Sequence, residues 1–384
     1  MKRLRPRRAL RVVGRVVVAL LLVATVLALV FHGWMEAQGK TLIVLTRTSN
    51  APLLGWAVGV LTDEPRAEET AIGGVPTLLV RPGEGRSWPA IVFVNGVTRR
   101  GRFHPTVQRL AHALARAGYL VAVPDAPGLR TGVLSARTLS ATEGVVRAVL
   151  ARGDTRGRVA LFGVSVGGSL ALLAAEDPEL SSRVRVVAGM APYVNLADVV
   201  RIATTGTYVR AGRLHRYRSK PFAALVAARS LAAALPDARD RALMLGRLAG
   251  VSRDSPDPLR PLRALRLARL RPATRALVRL LLNRDPVRFV ALYRKLPAAT
   301  RAAVARLSPI SDANRLRAPV LIVSAPHDKY FPPDETRALA DRGVRLQLTI
   351  TPALAHAIPH FSVHDLAGIV RFDAFVVRAL HAAR

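Results

Sequence analysis

From residue 66 onward, short apolar runs alternate with amphipathic stretches, and this pattern predicts alternating strands and helices. Residues 68–72 and 75–81 have the alternation of a hairpin joined at Gly73-Gly74. The later runs are apolar at consecutive positions, which is typical of strands buried on both faces of a parallel sheet. These predicted strands are Pro89–Asn95, Tyr119–Pro124, Arg158–Val164, Val184–Met190, Pro319–Ser324 and Val344–Thr351.

The stretches between these runs predict helices that connect the strands. They are Val107–Ala117, Leu139–Arg152, Ser169–Ala175, Pro333–Asp341 and Val363–Ala382. The alternation implies right-handed crossovers, so we expect a mainly parallel sheet covered by helices on both faces. The alternation of strands and helices stops between residues 195 and 307. This segment contains Ala-, Leu- and Arg-rich helical runs broken by prolines, and no buried strand is evident. We therefore expect one α/β core, residues 66–194 and 308–384, interrupted by a helical cap at residues 195–307.

The first 34 residues combine a basic run with a long apolar segment. Seven Lys and Arg residues precede Val16, and residues 16–31 contain no charged side chain. A spanning helix needs about 20 apolar residues, so we predict a basic cytoplasmic tail at residues 1–11 and a transmembrane anchor at residues 12–34. A cleaved signal peptide is the alternative, although no small-residue cleavage site is obvious at residues 32–37. The basic flank favours the cytoplasm, which puts the membrane-proximal segment, residues 35–65, and the domain beyond it outside.

The composition is strongly basic, with a formal net charge of +33 that comes almost entirely from arginine. Basic surfaces bind phosphate backbones, but only 5% of residues are aromatic and no nucleic-acid-binding motif is present, so nucleic acid is disfavoured as a partner. The basic cap could instead lie against anionic lipid headgroups, favour anionic substrates, or reflect an arginine-rich proteome. The hydrophobic fraction of 51% argues against disorder, and the absence of cysteine excludes disulfides.

The segment Gly163-Val164-Ser165-Val166-Gly167 lies where a predicted strand meets a predicted helix. A G-x-S-x-G at such a turn holds the serine in a strained conformation, while the glycines let neighbouring segments pass closely. The hydroxyl of Ser165 then stands at the end of a strand, next to the backbone N–H of Val166 and a helix N-terminus. The motif therefore indicates a nucleophilic serine.

A nucleophilic serine needs a base, and the base needs an acid that orients it. In a parallel sheet both partners should follow the carboxyl ends of strands. Asp328 follows Pro319–Ser324 and is the candidate acid, with Asp198 in reserve. His356 follows Val344–Thr351 and is the candidate base, with His360 as the alternative. No His and carboxylate cluster has the spacing of metal ligands, so neither a metal nor a cofactor is expected.

The chain order Ser165, Asp328, His356 resembles that of the α/β-hydrolase superfamily. The resemblance covers residues 66–193 and 308–384, and is greatest to dienelactone-hydrolase and prolyl-oligopeptidase-like serine hydrolases. It implies an α/β-hydrolase fold with a helical cap inserted between strands 6 and 7, behind the predicted N-terminal transmembrane helix. Relatives have His-Gly after the third strand, whereas this chain has Asn95-Gly96-Val97. The oxyanion hole implied by the resemblance consists of the backbone N–H groups of Val166 and Val97.

These features predict a membrane-anchored serine hydrolase, with an extracytoplasmic catalytic domain, that acts on a small-molecule or lipid-like carboxylic ester. A serine peptidase or an acyltransferase would use the same residues. Two non-enzymatic alternatives stay open: a membrane-tethered binding protein of the same fold, and a nucleic-acid or acidic-polymer binder. The substrate cannot be derived from the fold.

Overall fold

Twelve strands are present in the computed structural model, which describes residues 32–48, 62–83, 85, 87–356, 358–360 and 364–384. They are β1 (Arg66–Ile72), β2 (Val75–Arg81), β3 (Trp88–Val94), β4 (Leu120–Pro124), β5 (Thr155–Val164), β6 (Val184–Met190), β7 (Thr207–Arg210), β8 (Arg213–Arg216), β9 (Val320–Ser324), β10 (Leu346–Ile350), β11 (Leu354–Ala355) and β12 (Ile358–Pro359). Eight of them form one sheet in the order β1-β2-β4-β3-β5-β6-β9-β10.

Twelve helices accompany these strands in the described part of the chain. They are α1 (residues 32–48), α2 (Pro105–Arg116), α3 (Ala136–Leu150), α4 (Val166–Glu176), α5 (Leu196–Thr205), α6 (Pro221–Ala233), α7 (Ala238–Ala249), α8 (Arg260–Arg263), α9 (Pro272–Leu281), α10 (Phe289–Arg294), α11 (Ala298–Arg306) and α12 (Leu366–Ala382). Pro221 and Pro272 occupy the first turns of α6 and α9, where a proline costs no backbone hydrogen bond.

The main sheet is parallel from β4 to β10, as the apolar runs predict. The β1–β2 hairpin adds an antiparallel edge, and its turn residues Gly73 and Gly74 have φ values of 57° and 75°. Side chains of β3 alternate between two cores, because Val92 packs on one face of the sheet and Ile91 and Phe93 pack on the other. Burial on both faces explains why the strand has no polar alternation.

Residues 195–307, which we call the insert, lie in the chain between β6 and β9. Sequence patterning predicts helices alone here, and that prediction is wrong in one place: β7 and β8 form an antiparallel hairpin. Its turn contains Ala211 and Gly212, with φ values of 49° and 72°. All four residues of β8 are exposed, so the strand lacks the apolar signal by which sequence analysis finds strands. The helix predicted at Pro333–Asp341 is a 3₁₀ helix, Pro333–Arg342.

Helix α1 lies against α12. Gln38 donates a hydrogen bond to Asp373, with Nε2–Oδ2 at 3.2 Å, and the Arg384 guanidinium donates to the Gly33 carbonyl at 3.1 Å. The rings of Trp34 and His381 stack with centroids 5.0 Å apart. The predicted membrane-proximal segment therefore begins as a docked helix.

The predicted tail and most of the predicted anchor, residues 1–31, lie outside the described residues. Residues 32–34 of that predicted anchor belong to α1. Within the part of the chain that is described, no helix combines the length and the apolar character that crossing a membrane requires.

The buried hydroxyl of Tyr119 joins the sheet to α12, since it donates to the Leu380 carbonyl at 2.6 Å. We expect Tyr119→Phe to lower the free energy of unfolding by about 1–2 kcal/mol, because the substitution removes a buried hydrogen bond and leaves the ring in place. Urea unfolding followed by circular dichroism measures the change. Tyr293→Phe is the matched control, as the Tyr293 hydroxyl makes no hydrogen bond within the described residues. Equal unfolding midpoints for the two variants would contradict the prediction.

Candidate active site

Ser165 occupies a sharp turn between β5 and α4. Its φ of 54° and ψ of −127° lie outside the regions that most residues adopt. The flanking glycines are required by close approach: a Cβ on Gly163 would lie 2.4 Å from the Gly167 carbonyl oxygen, and one on Gly167 would lie 2.0 Å from that of Val94. The Ser165 N–H donates to the Met190 carbonyl at 2.7 Å and fixes the turn against β6. The turn predicted from the sequence is therefore present.

Backbone N–H groups close to Ser165 could stabilise an oxyanion. Val166 is the first residue of α4, where helical N–H groups have no partner within the helix. Val97 lies in the loop after β3, and both residues line the same cavity as Ser165. A Cβ on Gly96, the residue before Val97, would lie 3.4 Å from the Ser165 Cβ, so this loop passes directly beside the serine.

Asn95, the departure from the His-Gly pattern, holds this loop in shape. Its Oδ1 accepts from the Gly96 N–H at 2.8 Å, and its Nδ2 donates to the Gly101 carbonyl at 3.2 Å. Asp125 binds the other end of the loop, because its Oδ1 accepts from the Arg102 N–H at 2.9 Å. Asn95 thus has a structural role next to the candidate oxyanion hole.

Asp328 and His356 form a direct pair. Asp328 Oδ2 lies 2.7 Å from His356 Nδ1, and the aspartate side chain is fully buried. The other oxygen, Oδ1, accepts from the N–H groups of Tyr330 at 2.8 Å and Phe331 at 3.1 Å. Hydrogen bonds to both oxygens stabilise the charged carboxylate in a buried position. The pair therefore has the orientation that an acid gives to a catalytic base.

The His356 ring is also held by packing and by its backbone. Its ring centroid lies 4.7 Å from that of Tyr330, edge to face, and its φ of 60° is unusual for a residue other than glycine. His356 and Ser165 line one cavity. Strained backbone at both residues of a site is characteristic of functional positions.

The alternative acid, Asp198, and the alternative base, His360, form no hydrogen bond with the Asp328–His356 pair. Asp198 lies in α5 and accepts from Asn195 Nδ2 at 2.7 Å, with Arg201 3.9 Å away. His360 is exposed, and its backbone N–H donates to the Ala353 carbonyl. The structure thus brings Asp328 to His356 and places Asp198 and His360 elsewhere. Among the described residues, no group of three or more side chains could hold a metal ion.

Tyr217, a residue of the insert, is bound to the loop of Asp328. Its hydroxyl donates to the carbonyl oxygens of Asp328 and Phe331, the latter at 2.9 Å. Nearby, the Lys220 N–H donates to the Lys329 carbonyl at 2.8 Å. Sequence analysis missed this contact because Tyr217 lies 111 residues before Asp328 and belongs to no motif.

Glu335 joins the 3₁₀ helix after this loop to the segment that follows β6. Its Oε1 accepts from the N–H groups of Asn195 at 2.7 Å and Val194 at 3.2 Å, while Oε2 is buried without a partner. Burial raises the pKa of Glu335 to about 8, and the negative charge of Asp198 adds to the shift. Sequence analysis missed this residue too, since nothing in its local pattern marks a buried carboxyl group.

Comparison with known proteins gives one family match. The family described as X-Pro dipeptidyl-peptidase (S15 family) matches residues 75–357. No curated protein sequence matches the chain. This family lies within the α/β-hydrolase superfamily, which confirms the resemblance stated from the sequence.

Solved structures with a similar fold include a peptidase and an esterase. The acylaminoacyl peptidase of Pyrococcus horikoshii is 15% identical with a TM-score of 0.44, and the alignment covers 77% of this chain and 38% of that chain. An esterase of the bacterial hormone-sensitive lipase family is 17% identical with a TM-score of 0.45, covering 91% of this chain and 97% of that one. This chain thus spans well under half the length of the acylaminoacyl peptidase. The family assignment rests on the sequence match.

The raised pKa of Glu335 predicts a pH-dependent stability. The protonated carboxyl group is favoured in the folded protein, so its contribution is fully present below pH 4.5 and is lost as the pH rises through about 8. We expect wild type to lose on the order of a few kcal/mol of unfolding free energy relative to Glu335→Gln across this interval, because glutamine does not titrate.

Urea unfolding at intervals between pH 4.5 and 9 measures this difference. Glu179→Gln, a substitution at an exposed carboxylate that leaves Glu335 in place, is the control, and its unfolding free energy should follow that of wild type across the pH range. Parallel profiles for wild type and Glu335→Gln would show that Glu335 does not titrate in this interval.

Proposed function

Because the chain belongs to the X-Pro dipeptidyl-peptidase (S15 family), a family of serine hydrolases, we propose that it is a membrane-anchored hydrolase of carboxylic esters. The proposed catalytic triad is Ser165, His356 and Asp328. One observation carries the proposal: His356, whose Nδ1 lies 2.7 Å from the buried Asp328, lines the same cavity as a serine at a strained strand-to-helix turn.

The geometry supports acyl transfer through a covalent intermediate. In this mechanism Ser165 Oγ attacks the carbonyl carbon and its proton passes to His356 Nε2, while Asp328 stabilises the imidazolium that forms. The N–H groups of Val166 and Val97 donate to the oxyanion. His356 then protonates the leaving alcohol, and the Ser165 acyl-enzyme is hydrolysed by a water molecule that the same base deprotonates.

The cavity lining favours an ester over the dipeptide implied by the family description. A peptidase that removes dipeptides from a free N-terminus must bind an ammonium group, which requires a carboxylate or several acceptors. No Asp or Glu occurs among the described residues that line the cavity, and its formally charged side chains are Arg253 and Lys329. A peptidase is the second candidate, favoured by the family match itself.

The anchoring part of the proposal rests on the sequence of the first 34 residues. The basic tail at residues 1–11 and the apolar segment at residues 12–34 would hold the domain at the extracytoplasmic surface of the membrane. Helix α1 includes residues 32–34 of this segment and docks on α12, so the domain would lie close to the bilayer. The arginine-rich insert offers a surface for anionic lipid headgroups.

Substitution of the triad tests the proposed chemistry. Ser165→Ala should abolish labelling by a fluorophosphonate and lower hydrolysis of p-nitrophenyl acetate by at least 10³-fold, because no nucleophile remains. His356→Ala should lose activity to a similar degree. His360→Ala is the matched histidine control and should keep near wild-type activity.

Two outcomes would contradict parts of this proposal. Equal turnover by wild type and Ser165→Ala would exclude the serine mechanism. Faster cleavage of glycyl-prolyl p-nitroanilide than of any ester, dependent on Ser165, would establish the peptidase instead.

The contact between Tyr217 and the Asp328 loop predicts a positioning role for the insert. Tyr217→Phe should lower kcat for p-nitrophenyl acetate about 10-fold with little change in KM, since the acid is less firmly oriented while the cavity is unchanged. The activity–pH profile should change as well, because the Asp328–His356 pair is held by the loop that Tyr217 binds. Tyr208→Phe, in the β7–β8 hairpin that precedes Tyr217, is the control. A loss of thermal stability without a change in kcat or pH profile would show that Tyr217 is only structural.

A further inference from the structure

The cavity at Ser165 extends well beyond the candidate triad. Its volume is about 320 Å³, and its described lining comes from the sheet, the insert, α2, α12 and α1. Phe93 and Phe162 line it from the sheet, Leu110 from α2, and Val376 and Ala379 from α12. Val44 of α1 lines the same cavity as Ser165. One continuous space therefore connects the serine with the helix that follows the predicted anchor.

The wall between α1, α2 and α12 is mainly apolar, and its polar lining residues from these helices are Thr106 of α2 and Thr48 of α1. Its polar lining residue from α1, Thr48, is already bonded, since its hydroxyl donates to the Val44 carbonyl at 2.7 Å. The formally charged lining residues, Arg253 and Lys329, lie instead in the insert and in the loop of Asp328. A peptide in this part of the cavity would leave most of its backbone N–H and C=O groups without hydrogen-bond partners, which opposes binding. A hydrocarbon chain has no polar groups and would need no hydrogen-bond partners there.

We propose that this cavity binds the long aliphatic chain of an ester substrate whose carbonyl group is held at Ser165. The inference rests on the proposed function, because the serine supplies the reactive end of the site. It adds the substrate class: an ester with a flexible hydrocarbon chain on its acyl or its alcohol side. Burial of the chain against Leu110, Val376 and Ala379 provides the binding free energy through the hydrophobic effect.

Two ester series locate the chain on the acyl or the alcohol side. The first is p-nitrophenyl esters of straight-chain acids from C2 to C16, and the second is straight-chain alkyl acetates of the same range. In one series kcat/KM should rise by up to about fourfold for each added methylene until the cavity is filled, as burial of a CH₂ group stabilises by about 0.8 kcal/mol. A flat or falling profile in both series would overturn the proposal.

Variants at partly buried cavity positions test the path of the chain. Leu110→Phe and Val376→Phe together should lower kcat/KM for the best long-chain ester at least tenfold more than they lower it for the C2 ester. Leu110→Ala should move the optimum to a longer chain. Val370→Phe is the matched control, since Val370 lies on α12 but is 65% exposed and away from the cavity. Equal effects of the cavity and control variants would also overturn the proposal.

A binding measurement separates this inference from the chemistry. Full-length Ser165→Ala protein should bind the fluorescent fatty acid cis-parinaric acid, and the double Phe variant should weaken that binding at least tenfold. Binding without any ester turnover would reject the proposed function and retain the cavity. Turnover of short esters, with neither cis-parinaric acid binding nor a dependence on chain length, would reject the chain-binding cavity and retain the proposed function.

Discussion

The buried carboxylate of Asp328 is the point where three separate parts of the chain meet. One oxygen binds His356 from the loop after β10, and the other accepts two backbone N–H groups of its own loop. The backbone carbonyl of the same residue is bonded to Tyr217 of the insert. A charge in this position is stable only when each partner is in place, because removal of one leaves an uncompensated buried group. The insert, the sheet and the base are therefore coupled through one residue.

Much of the fold could be predicted because its signals are local. The buried strands are continuous apolar runs, and the serine turn has glycines at the two positions where a Cβ would collide with backbone. The candidate acid and the candidate base were predicted from their places after β9 and β10, and the structure brings these two side chains together. The sequence could not distinguish His356 from His360, since that difference depends on which ring reaches Asp328.

Other features had no local signal. The exposed β7–β8 hairpin lacks an apolar pattern, and Tyr217 and Glu335 gain their roles only from contacts with distant segments. The arginine content gave an ambiguous indication of partners. At the site itself the more informative feature is the cavity, whose described wall is apolar towards α1 and whose formal charges are cationic. That distribution would suit an amphiphile with an anionic or neutral polar end.

The docking of α1 on α12 has a mechanical consequence. Gln38, Trp34 and the Gly33 carbonyl all contact α12 or Arg384, so α1 is held along one side by hydrogen bonds and ring stacking. A force applied to the N-terminal end of α1 would pass into α12 through these contacts, and from α12 to the residue before β4 through the Tyr119–Leu380 hydrogen bond. The predicted anchor includes residues 32–34 of α1, so in a protein anchored as proposed these contacts would carry a displacement of that end of α1 to the catalytic domain.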